Sequence, residues 1–331
     1  MVTIKDVARL AGYSPATVSK ALNDRSDVSA ETKSKILDIV RASGFTPNAF
    51  GKALKKKSSG NIGVLFCRDL RSISGNPFYS RVLEGIEAEL ALNDYNLVLQ
   101  IITESTKDEL PKMTRERQVD GIILVGTFRD DYLKRILNED LHVVLIDPRV
   151  PVNQQCHVLI DNEHGAFQAT KYLIDCGHER IGFISGDLTR CSFQQRYNGY
   201  IKALKYHHIQ PDENLVRTGG LENGYEQVRS LLEIPGITAI FSTNDLNALY
   251  GYRAITERGF AIPDDISMVG FDDINLAKIA APPLTTIRVY KEELGSIAVR
   301  SLLGLIQDEE VKPVTTLVPT KLVIRESVRM R

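Results

Sequence analysis

The chain has 331 residues, 43% hydrophobic and 25% charged, with no Trp and a net charge of −1. It is too long for one ordinary domain, and its composition is that of globular material with ample core, which excludes a low-complexity or disordered chain. No early apolar run resembles a signal peptide and no stretch of about 18 apolar residues occurs, so no membrane partner is expected and a cytoplasmic location is. The near-zero charge hides an asymmetry. Residues 1–60 carry 11 Lys/Arg against 5 Asp/Glu, a net of +6, which leaves −7 on the rest. A basic head on an acidic body points to a polyanion partner at the head only.

Thr3 and Asp6 fit a capping box that opens a short helix with Val7, Ala8, Leu10 and Ala11 as its apolar face. Gly12 stops it. Ser14 is the next N-cap, Pro15 takes the first helical position, and Val18, Ala21 and Leu22 form the buried stripe, with Asn23 as the stop. Ser29 caps a third helix with core positions Ile36, Leu37, Ile39 and Val40, closed by Gly44. Two short helices on a tight turn with a third in support make a helix-turn-helix, spanning residues 1–46. The second helix of that motif enters the major groove, so Pro15, Ala16, Thr17, Ser19 and Lys20 face DNA. Lys20 can donate to guanine, Pro15 and Ala16 offer apolar contact, and Thr17, Ser19, Asn23 and Thr32 suit phosphate oxygens. Thr3 and Ser14, at helix amino ends, are counted with these contacts.

Residues 47–60 read as a hinge and linker. Pro47 ends the preceding segment and Asn48 can cap about two helical turns through Ala49–Leu54. Such a helix is too short to stand alone, and Gly51 weakens it further. Lys55, Lys56 and Lys57 are placed to neutralise phosphates, and Asn48 and Lys55 join the expected DNA contacts.

From residue 61 to 331, apolar strands alternate with amphipathic helices. Strands are expected at 62–66, 96–102, 120–125, 142–146, 180–184, 237–241 and 266–270, with helices at 78–92, 165–175, 196–206 and 246–258. This pattern predicts parallel sheets covered on both faces, and about 270 residues exceeds one such sheet, so two α/β subdomains are expected. The second set of units resembles a divergent repeat of the first. The four cysteines are scattered without ligand spacing and read as thiols in a reducing compartment. His164, His178, His207 and His208 show no metal spacing and are expected at the surface. No cofactor or metal is called for.

The string TIKDVARLAGYSPATVSKALN resembles the start of the lactose-repressor/galactose-repressor family of bacterial transcription regulators. The similarity continues in FTPNAFGKAL, NPFY (76–79), VDGIIL (119–124), DNEHGA (161–166), GHERIGFISG (177–186), STNDLNAL (242–249), VGFDD (269–273), PPLTT (282–286) and VIRES (323–327). Tyr13 and Phe45 depart from that family's usual residues. The resemblance implies an all-α helix-turn-helix headpiece, a hinge helix that folds only when two copies pack on DNA, and Leu54 wedged into the minor groove. It also implies a periplasmic-binding-protein-like body of two doubly wound subdomains. The N-subdomain would take about 61–160 and 291–320, and the C-subdomain about 161–290 and 321–331. Crossovers are expected near Ile160–Asn162, Arg288–Lys291 and Thr320–Leu322.

Strand ends in such sheets meet at a cleft. The candidate effector residues there are Asn76 and Phe78 after the first strand, Asp147 after the fourth, Asp161 at the first crossover, and Arg196 at a helix start. Asn244 and Asp272 follow two later strands, and Arg196 matches a family position that contacts effector. Asp and Asn acceptors with an Arg fork suit sugar hydroxyls, with Phe78, Tyr79, Phe193 or Phe271 left to stack on a ring. G-x-G-x-x-G, a phosphate-binding loop, G-x-S-x-G and H-E-x-x-H are all absent. The expectation is therefore a DNA-binding regulator acting as a homodimer on a pseudo-palindromic operator. Its effector is expected to be a sugar, or alternatively a purine or sugar phosphate. A cleft enzyme such as a glycosidase is the remote reading.

Overall fold

The computed structural model describes residues 2–22, 25, 27–45, 58–67, 75–103, 108–220, 223–308 and 310–331. They fall into two compact units, Met1–Ser59 and Gly60–Arg331. The expectations for Asn23, Asn48, Leu54 and Lys55, and for the hinge around them, lie outside the described residues.

The first unit is a three-helix head of α1 (Ile4–Ala11), α2 (Pro15–Leu22) and α3 (Ala30–Ser43). The capping box forms: Thr3 Oγ1 accepts the Asp6 N–H at 3.4 Å, and the Asp6 carboxylate accepts the Thr3 N–H at 3.0 Å. Gly12 ends α1 at φ 73°, a left-handed conformation that costs least without a Cβ. Val7, Ala8, Ala11, Val18, Ala21 and Ile36 make the core. Two expectations are corrected. Leu10 is 65% exposed, because Val7, Ala8 and Ala11 occupy the arc that meets the other helices and Leu10 lies past its edge. Leu37, Ile39 and Val40 are half-buried, since a unit this small has little interior to enclose them.

The second unit holds two six-stranded sheets. The first contains β1 (Asn61–Cys67), β2 (Asn96–Ile102), β3 (Gly121–Val125), β4 (His142–Ile146), β5 (Cys156–Ile160) and β11 (Thr315–Val318), in the order β2-β1-β3-β4-β5-β11 and all parallel. The second contains β6 (Ile181–Ser185), β7 (Val216–Thr218), β8 (Ala239–Ser242), β9 (Ser267–Asp272), β10 (Thr285–Val289) and β12 (Thr320–Val323). Its order is β7-β6-β8-β9-β10-β12, with only the last pairing antiparallel. The two orders are the same pattern, so the second half of the body does repeat the first. Strand order reverses between β1 and β3 in one sheet and between β6 and β8 in the other, the places where a doubly wound sheet opens a crevice.

Helices α4 (Tyr79–Leu92), α5 (Lys112–Arg115), α6 (Asp130–Leu137), α7 (Asn162–Asp175), α8 (Cys191–Tyr206), α9 (Gly224–Leu231), α10 (Asp245–Glu257), α11 (Asn275–Ile279) and α12 (Lys291–Gln307) complete the described unit. Helix α12 follows a strand of the second sheet yet packs on α4 and the first sheet. Glycines permit this close approach. A Cβ on Gly85 would lie 1.9 Å from the Glu292 carbonyl oxygen, and one on Gly295 2.3 Å from that of Val82. The chain passes between sheets at Ile160–Asn162, Val289–Lys291 and Val318–Thr320. The third passage precedes the expected Thr320–Leu322 because Thr320 already pairs with Val289 in the second sheet.

Candidate functional site

In the head, Ser14 Oγ accepts the Thr17 N–H at 3.1 Å and lies 2.9 Å from Thr17 Oγ1, which fixes the start of α2. Burial of Val18 and Ala21 then turns Pro15, Ala16 and Lys20 outward, with Ser19 half-buried beside them. The Lys20 ammonium lies 2.5 Å from Asp27, both side chains about half exposed. An exposed pair of this kind exchanges readily for another polar partner. Thr32 is engaged with the Ser29 cap, accepting from its hydroxyl at 2.9 Å. Tyr13 is half-buried with the Lys35 ammonium 5.5 Å over its ring, and Phe45 packs at the edge of the same core. Both departures from the family pattern thus act as packing groups.

In the body, Arg196 is central. It sits in the second turn of α8, not at a helix start, because the helix begins five residues earlier at Cys191. The side chain is buried. Its Nε donates to Asn162 Oδ1 at 2.8 Å, and a terminal nitrogen donates to the Thr243 carbonyl and lies 3.4 Å from the Asp272 carboxylate. The guanidinium lies 3.7 Å over the Phe271 ring, so that ring face is occupied by Arg196 and is not free to stack on a sugar. Asp272 is itself the last residue of β9 rather than a residue beyond it, because its main chain still pairs with Arg288 of β10.

Asp147, one residue past β4, reaches the same place from the first sheet. Its carboxylate accepts from the Tyr79 hydroxyl at 3.2 Å and from the Ser192 side chain. Burial pushes the Asp147 carboxyl above its ordinary range, against the pull of Arg196 and Arg190. Burial also raises Asp272, to about 6, against the pull of Arg196 and Lys291. Asp147 and Asp272 have φ of 48° and 110°, unusual for non-glycine residues and typical of strained functional positions. Across the mouth, the Cys191 N–H donates to the Arg149 carbonyl at 2.9 Å and Arg149 donates to Thr189 Oγ1 at 3.0 Å.

The remaining sequence candidates split. Asp161 and Asn244 each cap a helix, accepting the N–H groups of His164 and of Asn247, and Asn76 accepts those of Phe78 and Tyr79 in the turn that leads into α4. Phe78 is half-buried, edge-on to Tyr79 at 5.1 Å. His178 is buried, contrary to the surface expectation: Thr238 lies 2.9 Å from one ring nitrogen and the Arg329 carbonyl 3.1 Å from the other. No metal-binding cluster occurs among the described residues.

Two family descriptions match the chain: bacterial regulatory proteins of the lacI family over residues 3–48, and a periplasmic binding protein-like domain over 170–328. The HTH-type transcriptional repressor PurR of Mannheimia succiniciproducens is 34% identical over 337 residues, covering 99% of both chains. The chain belongs to the LacI family. Among solved structures, the lac repressor dimer bound to operator and the anti-inducer ONPF shares 29% identity over 99% of both chains, with a TM-score of 0.86. The transcriptional regulator CelR in complex with cellobiose shares 30% identity over 99% of this chain and 100% of that one, with a TM-score of 0.77. This LacI-family member is a DNA-binding transcriptional repressor, not the cleft enzyme of the remote reading.

Sequence reasoning missed several groups of this repressor's cleft: Asn162, Arg190, Ser192 and Lys291. Arg190 and Ser192 flank the start of α8, six and four residues before Arg196, and a helix drawn from Cys191 would have brought them forward. Lys291 carried no chemical signal. It is buried, with its ammonium donating to the carbonyls of Val289, Asp272 and Asp273. Only the crossover from β10 to α12 reveals it.

Proposed function

We propose that this repressor binds a pseudo-palindromic operator as a homodimer and that a small-molecule effector, a sugar or sugar derivative, occupies the cleft around Arg196. The observation that carries the proposal is the meeting of Asp147 from the first sheet with Arg196 and Asp272 from the second. Two carboxylates raised by burial beside one guanidinium form a donor and acceptor set suited to hydroxyl groups, which donate to Asp and accept from Arg. A ligand touching both sheets changes their relation, and the coupling is reciprocal with DNA binding. One similar structure is a dimer on operator and another holds cellobiose, whereas the 34% identical relative is a PurR repressor, which keeps a purine as the alternative effector. In the head, Pro15, Ala16 and Lys20 are the proposed base-facing group, with Thr3, Ser14, Thr17, Ser19 and Thr32 along the phosphates.

A sugar phosphate suits the cleft less well, since Asp147 and Asp272 would oppose its charge. A purine lacks the Phe271 face that Arg196 covers. Thermal unfolding of the full chain with cellobiose, glucose, galacturonate, hypoxanthine and ribose 5-phosphate tests the class. A rise in Tm with a neutral sugar, accompanied by altered operator binding in a gel shift, is expected. A rise with hypoxanthine or ribose 5-phosphate alone overturns the sugar assignment.

A further inference from the structure

The contacts of Arg196 continue into a group of buried carboxamides. Asn244, Asn247 and Gln227 are 8%, 0% and 5% exposed. Thr243 accepts from Arg196 through its carbonyl, and its hydroxyl lies 3.2 Å from Ser185 Oγ. The Ser185 carbonyl accepts from Gln227 Nε2 at 2.8 Å. Asn244 follows Thr243 in the chain, and its Oδ1 accepts the Asn247 N–H at 2.8 Å. An unbroken series of contacts therefore runs from Arg196 to Gln227 on α9 and to Asn247 on α10. It lies at the carboxyl ends of β6 and β8, where the strand order of the second sheet reverses. The two helices approach closely there, since a Cβ on Gly224 would fall 2.2 Å from the Asn247 carbonyl oxygen.

Most of the polar atoms of these amides are unpartnered. Gln227 Oε1, Asn244 Nδ2 and both polar atoms of the Asn247 side chain are buried without a hydrogen-bond partner among the described residues. Each such atom is destabilising, and a native fold retains several together where something else supplies the partners.

We propose that Gln227, Asn244 and Asn247 form an uncharged extension of the effector site that binds a hydroxyl-bearing, neutral end of the ligand. The proposal rests on the assignment of the Arg196 cleft as the effector site. Two oxygens of the patch require donors and two nitrogens require acceptors. A hydroxyl donates once and accepts as well, so a pair of neighbouring sugar hydroxyls satisfies all four atoms. A phosphate or carboxylate brings acceptors only and would leave Gln227 Oε1 and Asn247 Oδ1 unpaired against negative charge. Any charged group of the ligand therefore lies toward Arg196.

The test uses Asn247→Leu and Gln227→Met, each close in shape to the residue replaced, in the full chain. If the amides await a ligand, their removal relieves orphaned groups, and the ligand-free Tm rises by about 2–4 °C in at least one variant. If they hold the fold together, directly or through a trapped water, both variants lower the ligand-free Tm, and the proposal is overturned whether or not any sugar binds the cleft. In cellobiose titrations, Asn247→Leu is expected to weaken binding at least tenfold relative to wild type. Unchanged cellobiose affinity in both variants also overturns the proposal. Should cellobiose fail to bind the wild type, the sugar assignment loses that probe, while the change in ligand-free Tm still decides the carboxamide patch.

Discussion

Replacing Arg196 with Met keeps the stem of the side chain and removes its charge. The guanidinium now serves Asn162 Oδ1, the Thr243 carbonyl and the Asp272 carboxylate, all in a buried setting. Removing one partner of a buried pair costs about 3–5 kcal/mol because a charge is left behind. The two neutral acceptors add about 1 kcal/mol each. Asp272 limits the total, because its carboxyl already sits at about 6 and can take up a proton instead of remaining charged. The expected loss at pH 7.5 is therefore about 4 kcal/mol, or about 8–16 °C in Tm for a unit of this size.

The pH dependence separates this account from simple loss of packing. Asp272 is raised above its unfolded value, so its contribution to stability is full below 3.8 and is lost as pH rises through about 6. Without Arg196, a group that pulls it down, its folded value moves higher and the protonated form persists to higher pH. The destabilisation of Arg196→Met is therefore expected to be smaller at pH 5.5 than at pH 7.5. Thermal unfolding at both values measures it, alongside an operator gel shift in which the variant binds DNA but no longer responds to effector. An equal Tm loss at both pH values, or a retained effector response, refutes the reasoning.

Asp245 is buried beneath Gly270, accepting the Ile274 N–H at 2.9 Å and meeting Thr286 Oγ1, and burial first and Asp272 second push its carboxyl well above the ordinary range. Asn reproduces the protonated form, so Asp245→Asn should match or exceed wild-type Tm at pH 7.5 and flatten the fall in stability with rising pH; a large loss at both pH values would contradict this. Gly85→Ala drives a methyl into the Glu292 carbonyl and should cost about 2–3 kcal/mol, read as a lower urea midpoint with unchanged slope. Lys20→Ala should leave head stability nearly unchanged and relax base preference at one or two operator positions in a binding selection. A uniform loss across sequences would instead make Lys20 a phosphate contact.

The head was the most legible part of the chain, because caps and stops are local. Thr3, Ser14, Pro15, Ser29 and Gly44 act where their side chains or backbone freedom predict. Its core was less legible, since Leu10 and Val7 look alike in sequence and only the arc of contact separates them. In the body, HVVLI and NLVLQII announced strands by continuous apolar character. TTIRV, TTLV and TKLV did not, and these are the β10, β11 and β12 segments that carry the second and third crossovers. The same limit hid Lys291, whose place at the start of α12 exists only once β10 hands the chain back to the first sheet. The meeting of Asp147 and Asp272 was legible because a strand end in a doubly wound sheet is a cleft position, and Arg196 stood out through the family position it matches. Asn162, Ser192 and Asn247 were not, because the first turn of a helix gives no such notice.

Asp272 and Asp273 show how a buried carboxylate with few partners differs from one that is fully paired. They are adjacent, both buried and both at positive φ. Burial pushes Asp273 up, yet Arg325 and Arg288 overcome it and hold its carboxyl below the ordinary range, with Arg288 at 2.7 Å. Asp272 has one guanidinium at 3.4 Å, shared with two other acceptors, and remains raised. Asp273 is thus saturated by its own chain and joins the strand ends of the second sheet, whereas Asp272 keeps hydrogen-bonding capacity in reserve. The same comparison sets the raised Asp147 and the unpartnered Asn247 side chain on the side of Asp272. Unpaired polar capacity in a buried setting costs stability, and it collects where Asp147 of the first sheet meets Asp272 of the second and along the contacts that run from Arg196 to Asn247.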